Sequence, residues 1–316
     1  MVTQTAQPEK TFVLKDYKTN VHNTWCAGCG DFGILTSIQM ALAELQIPPH
    51  KVTVVSGIGC SGKAPHYINA YGVHTLHGRA IPSATGMKLA NPGQTVIAVG
   101  GDGDGFGIGA GYFLNAGRRN VDMTYLVFDN QVYGLTKGQG SPTMEKGLKA
   151  KGMAEAASQD SINPLAIAIA SGYTFVGRGY ALQPRSLAQL IAQAVHHRGM
   201  SFVDILQTCP VYNDLHDKEW YGEQLDGGPR LYQLDDTDFD PMVHDPSNAQ
   251  EVLAKKVQAM AKSYEWGDRI PLGCFYKMEA PTFEDQLAKG RPRGMDSILE
   301  PNLFDRDLNK LMDALR

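Results

Sequence analysis

The sequence predicts an α/β fold: a doubly wound, mainly parallel sheet with helices on both faces, followed by a C-terminal arm. Three observations carry this. Short β-branched runs alternate with segments of helical periodicity, the mark of βαβ units. The runs are mostly apolar rather than alternating, as strands covered on both faces tend to be. Glycine is in excess, 34 of 316 residues against a usual ~7%, and it collects in a few runs at strand ends. In order, Ile34, Leu35, Ile38, Ala41, Leu42 and Leu45 make one helical face over 31–47. Strands are expected at 52–57, 95–101, 123–129, 173–177, 202–207 and 271–276. The glycine-led stretch 105–119 and residues 164–171, 185–198 and 249–264 read as helices. His196 and His197, at the end of the 185–198 helix, read as favourable partners of its dipole. After Cys209 the composition turns to Asp, Tyr, Gly and Pro, which suggests an arm lying over a surface. The chain thus divides into an extension 1–30, a core domain 31–209 and an arm with a small appendage 210–316 that serves contact between subunits.

Composition narrows the class. With 43% hydrophobic and 20% charged residues the chain can bury a core. No apolar run approaches the ~20 residues of a membrane-spanning helix, and the first residues do not read as a signal peptide. A net charge of −4 argues against nucleic-acid binding. Five cysteines in a chain read as cytoplasmic favour metal or redox use over disulfides.

Three glycine-rich loops could face a phosphate. Gly57, Gly62 and Lys63 have P-loop spacing, but Ala64 stands where a hydroxyl should bind magnesium. Gly105, Gly107 and Ala110 fit a dinucleotide pattern, with Asp122 and Asp129 downstream, yet another glycine cluster already holds the strand end. That cluster is Gly101-Asp102-Gly103-Asp104-Gly105, with Asn130 following 28 residues after Asp102. Asp102 and Asn130, at neighbouring strand ends, can both give oxygen to one hard cation, and a diphosphate completes a magnesium octahedron. The duller alternative is that these residues only form turns. Cys26 and Cys29 make a C-x2-C turn, and Cys60 and Cys209 each end a strand. Four thiolates suit either zinc or a [4Fe–4S] cluster, and spacing does not separate them. Cys274 reads as a core thiol.

GDG followed by Asn resembles the diphosphate motif of thiamine diphosphate enzymes. With WCAGCG, GIGCSGK, HGRAIPSATGMK, DNQVYGLTKGQ and TCP, in that order with GDGD, residues 20–212 resemble the β subunit of 2-oxoacid:ferredoxin oxidoreductases. The resemblance implies that Asp102, Asn130 and the Val132 carbonyl hold magnesium. Gly101, Gly103, Asp104, Gly134, Leu135 and Thr136 would then line the diphosphate, and Ile58 would prop the bent cofactor. It also decides for iron: one [4Fe–4S] cluster on Cys26, Cys29, Cys60 and Cys209. Lys63 would read the distal carboxylate of a 2-oxoglutarate-type substrate; Lys137, His77 and Arg79 are further pocket candidates. The implied reaction is coenzyme A-dependent oxidative decarboxylation of 2-oxoglutarate, with electrons passed to ferredoxin. Pyruvate or another 2-oxoacid is the rival substrate, and a zinc-stapled nucleotide-binding scaffold the rival class. Residues 210–316 leave no room for a second α/β domain. An α partner should supply the pyrimidine-binding half, in an (αβ)2 assembly.

Overall fold

A computed structural model describes residues 11–289 of the chain. The expected extension and tail extend beyond these residues at both ends. The elements are α1 (Asp31–Glu44), β1 (Val52–Ser56), α2 (Ala64–Tyr67), β2 (Tyr71–His74), α3 (Ala80–Ala90) and β3 (Thr95–Gly101). After a wide turn at Gly103–Ile108 come α4 (Ala110–Arg119), β4 (Met123–Asp129) and a small hairpin, β5 (Val132–Tyr133) with β6 (Gln139–Gly140). Then follow α5 (Pro164–Ser171), β7 (Phe175–Tyr180), α6 (Pro184–His196) and β8 (Met200–Leu206). The last part holds α7 (Lys218–Tyr221), the hairpin β9 (Gln224–Leu225) and β10 (Gly228–Pro229), β11 (Leu231–Gln233), α8 (Ala249–Ser263), β12 (Ile270–Lys277) and α9 (Phe283–Lys289).

Eight strands form one sheet in the order β11-β12-β7-β8-β4-β3-β1-β2. The six from β7 to β2 run parallel; β12 joins β7 antiparallel and carries β11 parallel to itself. Residues 210–289 add two strands, β11 and β12, to the sheet, β12 at the place where the sequence predicts a strand. The short edge strand β2 was not apparent in the sequence: three of its four residues are exposed, so it lacks the apolar run that marks the others.

Alternation along the strands explains the two helical layers. Val52 and Val54 of β1, Ile97 and Val99 of β3, and Leu126 and Phe128 of β4 pack with α1 and α6 through Ile34, Ile38, Leu187 and Ile191. Their neighbours Val55, Val96, Ala98, Tyr125 and Val127 face α3, α4 and α5 through Ala84, Phe113 and Leu165. Every residue of β1, β4 and β8 is buried. Local signals start and stop the helices: Asn163 caps α5, with its side chain accepting from the Ala166 amide, and Pro164 follows it. Asn120 in the left-handed region ends α4.

His197 corrects an expectation. It is buried, its Nε2 lies 2.8 Å from Thr174 Oγ1, and burial pulls its pKa down to about 4. A neutral imidazole in the core cannot act as a cationic partner of the α6 dipole. His196 is the exposed one.

Candidate functional site at the strand ends

Four adjacent strands, β8, β4, β3 and β1, release at their carboxyl ends the loops that carry Cys209, Asn130, Asp102 and Cys60. Beneath these loops lies a cavity of about 100 Å3, lined in part by Ile58, Cys60, His77, Asp102, Asn130 and Gln207. Gly101, Gly103, Asp104, Val132, Gly134, Leu135 and Thr136 line it too, so every residue expected around a diphosphate converges here. Gly59, Ser61, Phe128 and Tyr133 complete the wall. Gly103 is required by close approach: a Cβ there would sit 2.3 Å from the Tyr133 ring.

Asp102 is 1% exposed, and its Oδ2 accepts from Ser141 Oγ at 2.5 Å and Thr143 Oγ1 at 2.7 Å. Burial raises its pKa, and those hydroxyls together with the Gly103 amide hold it down. Thr143 Oγ1 also lies 2.8 Å from Asp129 Oδ1. One hydroxyl has one proton, so it cannot donate to both carboxylates. Burial pushes the Asp129 carboxyl well above the usual carboxylate range, and Asp102 and Asp204 push it further. Asn130 Oδ1 accepts from the Val132 amide at 3.1 Å, an Asx turn that sets the side-chain oxygen and the following backbone at one place. Gln131 between them has φ 63°, a left-handed strain of the kind that clusters at binding sites. An aspartate oxygen, an asparagine oxygen and a backbone carbonyl are the hard donors magnesium takes beside phosphate oxygens, so the residues present fit that ion.

Asp104 reaches the cavity wall but spends its carboxylate on the neighbouring loops. Its Oδ1 accepts from the Ile58 amide at 2.9 Å, the Gly78 amide at 2.7 Å and lies 2.6 Å from His77 Nδ1. One carboxylate therefore pins the Cys60 loop and the His77 loop to the glycine turn. It leaves no room at Gly57, where a Cβ would meet Asp104 Oδ2 at 1.9 Å. It also consumes the Ile58 amide, which a P-loop would need for phosphate.

The cysteine loops meet above the cavity. The Cys29 amide closes the turn on the Cys26 carbonyl at 3.1 Å, and the Gly30 amide donates to the Thr208 carbonyl at 3.1 Å. Trp25 Nε1 donates to the Cys60 carbonyl at 2.7 Å. Donors face the sulfurs: the amides of Tyr212, Val211 and Asn213 at Cys209, the Asp31 amide and Gln207 Nε2 at Cys29. Burial raises Cys60 to about 11, with Asp31 adding to the rise and Lys63 opposing it. Asp31, fully buried, is itself pushed up to about 7 by burial, against Cys29 and Lys63. N–H groups aimed at sulfur are what iron-bound thiolates use to spread their charge. Among the described residues no three His, Cys, Asp or Glu side chains close around a single ion. Four thiolates suit either zinc or a [4Fe–4S] cluster.

The remaining candidates lie off the cavity. Lys63 is part-buried on the turn Ser61–Lys63 beside Cys60 and Asp31. Arg79 stacks on Tyr112 at 5.0 Å and donates to the His77 carbonyl at 3.2 Å. Lys137 has φ 82° and precedes Gly138 in the hairpin loop. Cys274 is buried in β12, with its Sγ 3.7 Å from the Tyr276 carbonyl. Sequence reasoning missed Gln131, Ser141, Thr143 and Gln207. The first three lie close to the Asn130 motif, but only their contacts reveal their use.

Fold and site define a thiamine diphosphate-binding α/β domain. Residues 50–205 match the family model for the C-terminal TPP binding domain of thiamine pyrophosphate enzymes. Residues 209–291 match the model for the C-terminal part of the pyruvate ferredoxin oxidoreductase beta chain. A 2-oxoacid:ferredoxin oxidoreductase subunit beta from a Sulfolobus species is 50% identical over 299 residues, 93% of this chain and 95% of that protein. The 2-oxoglutarate oxidoreductase subunit KorB of Mycobacterium tuberculosis is 42% identical over 213 residues, 67% of this chain and 56% of that one. Among solved structures, the 2-oxoglutarate:ferredoxin oxidoreductase of Magnetococcus marinus, with 2-oxoglutarate, coenzyme A and succinyl-CoA bound, superposes with a TM-score of 0.83. It is 36% identical, with 97% of each chain covered. The chain belongs to the β subunits of the 2-oxoacid:ferredoxin oxidoreductases. A β subunit works with an α partner. Among the described residues no helix is long and apolar enough to cross a membrane.

Proposed function

We propose that the chain is the β subunit of an oxidoreductase that decarboxylates 2-oxoglutarate to succinyl-CoA and CO2 and passes the electrons to ferredoxin. In this reading Asp102, Asn130 and the Val132 carbonyl hold magnesium, and Cys26, Cys29, Cys60 and Cys209 hold one [4Fe–4S] cluster. The observation that carries it is the shared wall: Cys60 lines the same cavity as Asp102 and Asn130. Bound thiamine diphosphate supplies the electron sink that loss of CO2 from a 2-oxoacid requires. The chain's own residues do the placing. The glycine turn, Gly134, Leu135 and Thr136 seat the diphosphate, and Ile58, fixed by Asp104, props the cofactor. His77 sits at the cavity edge with its Nδ1 committed to Asp104, which leaves Nε2 for an anion. Lys63 offers the charge for the distal carboxylate, with Arg79 and Lys137 as outer contributors. Residues 31–209 form the cofactor domain, and 210–316 serve contact between subunits in an (αβ)2 assembly. The α partner brings the pyrimidine half, and the enzyme works in the cytoplasm.

Metal and acid-labile sulfide analysis of the anaerobically purified αβ complex tests the centre. About four irons and four sulfides per β chain are expected for one cubane; one zinc without sulfide would sink the redox reading. Substrate choice is tested with Lys63→Ile, which should cut kcat/KM for 2-oxoglutarate far more than for pyruvate. An equal fall on both would remove the assignment of 2-oxoglutarate.

A further inference from the structure

Gln207 lies two residues before Cys209, is 1% exposed and lines the cavity. Its amide orientation follows from a chain of donors. The Val132 amide can only donate, and it donates to Asn130 Oδ1 at 3.1 Å, so the other end of Asn130 is its NH2. That NH2 donates to Gln207 Oε1 at 3.2 Å. The Gln207 NH2 is thereby turned to Cys29, with Nε2 3.3 Å from Sγ. Among the described residues, one side chain thus touches both a proposed magnesium ligand and a proposed cluster ligand.

We infer that Gln207 is a positioning residue that couples the two centres: its carbonyl anchors Asn130 and its NH2 tunes the sulfur of Cys29. The inference rests on the proposed magnesium and cluster ligands. A hydrogen bond to a cluster sulfur favours the state with more negative charge, which is the reduced one, and so raises the reduction potential. When Asn130 gives its oxygen to a cation, its NH2 becomes a better donor. Hydrogen bonds in a chain polarise one another, so the Gln207 carbonyl is drawn harder and its own NH2 donates more strongly to sulfur. Seating magnesium and thiamine diphosphate therefore raises the potential of the neighbouring cluster. The acceptor gains strength only when the site that feeds it is loaded.

The test is a dye-mediated redox titration of the anaerobic αβ complex, followed by electron paramagnetic resonance, with and without magnesium thiamine diphosphate. Gln207→Met keeps the bulk and loses both hydrogen bonds. The wild-type midpoint should rise on adding the cofactor. The Met variant's midpoint should lie lower by about 59 mV, a roughly tenfold higher oxidised-to-reduced ratio at a fixed potential for a one-electron couple, and ignore the cofactor. A Met variant with the wild-type midpoint, or a wild-type midpoint indifferent to the cofactor, overturns the coupling. Should the Met variant load no iron, Gln207→Glu decides: it keeps the acceptor for Asn130, loses the donor to Cys29 and adds negative charge. An unmoved midpoint there also overturns the inference. Wild-type protein without iron and sulfide would instead overturn the cluster reading, a separate failure.

Discussion

Gly57→Ala perturbs the Asp104 tie without altering any charge. The new Cβ would stand 1.9 Å from Asp104 Oδ2 and 2.5 Å from its Cγ, and a real contact needs more than 3 Å. The carboxylate must retreat by about 1 Å or more, and its bonds of 2.6–2.9 Å to His77, Gly78 and Ile58 do not survive that together. A hydrogen bond to a charged group is worth about 1.5–3 kcal/mol net. Loss of one of the three, about 2 kcal/mol, corresponds to roughly thirtyfold in an equilibrium constant. Thiamine diphosphate affinity of the αβ complex, measured by titration calorimetry in saturating magnesium, should fall by about that factor. Asp104→Ala removes the clash partner, so adding Gly57→Ala in that background should cost little further, a coupling of about 2 kcal/mol. If Gly57→Ala cost the same in both backgrounds, or left affinity unchanged, Asp104 would not be the tie described above.

Other outcomes follow from the same geometry. Thr143→Val removes the hydroxyl shared by Asp102 and Asp129 and should weaken magnesium binding by about tenfold, read from the magnesium dependence of cofactor binding. Cys274→Ser should retain the wild-type iron content, because that thiol is buried in β12, whereas Cys26→Ser should lose iron. His197 is depressed to about 4 in the folded chain against about 6.5 unfolded. Its contribution is complete above pH 6.5 and is lost as pH falls toward 4, up to about 3 kcal/mol. His197→Gln should flatten the pH dependence of stability across that window, and a slope equal to wild type would refute the assignment.

The parallel core was legible because strands covered on both faces read as mostly apolar runs rather than alternating ones, and β1, β3, β4 and β8 do so. Strand β7 was found but placed two to three residues early, since Gly177, Arg178 and Gly179 interrupt its apolar run. β2 and β11 were missed because an edge strand needs only backbone partners on one side. The cavity residues were readable from Asp102 and Asn130 outward, as local turns bring their neighbours along. Gln207, Ser141 and Thr143 reach partners 39 to 178 residues away, and no local pattern marks such pairings.

The strand order would also dictate when the proposed metal centre can be built. The proposed cysteine ligands leave the two outer strands of a set of four, β8 and β1, about 14 Å apart at ~4.8 Å per strand, with the C-x2-C turn closing over them. Cys26 waits for Cys209, 183 residues later in the chain. An emerging polypeptide therefore holds only an incomplete set until almost two thirds of it has been made and the sheet has closed. On the proposed ligand set, cluster insertion would be a quality check on folding: only a chain in which β1 and β8 are both seated could accept iron. A bound cluster would clamp the N-terminal turn to the end of β8, so its loss by oxidation would loosen the fold and the cofactor pocket together.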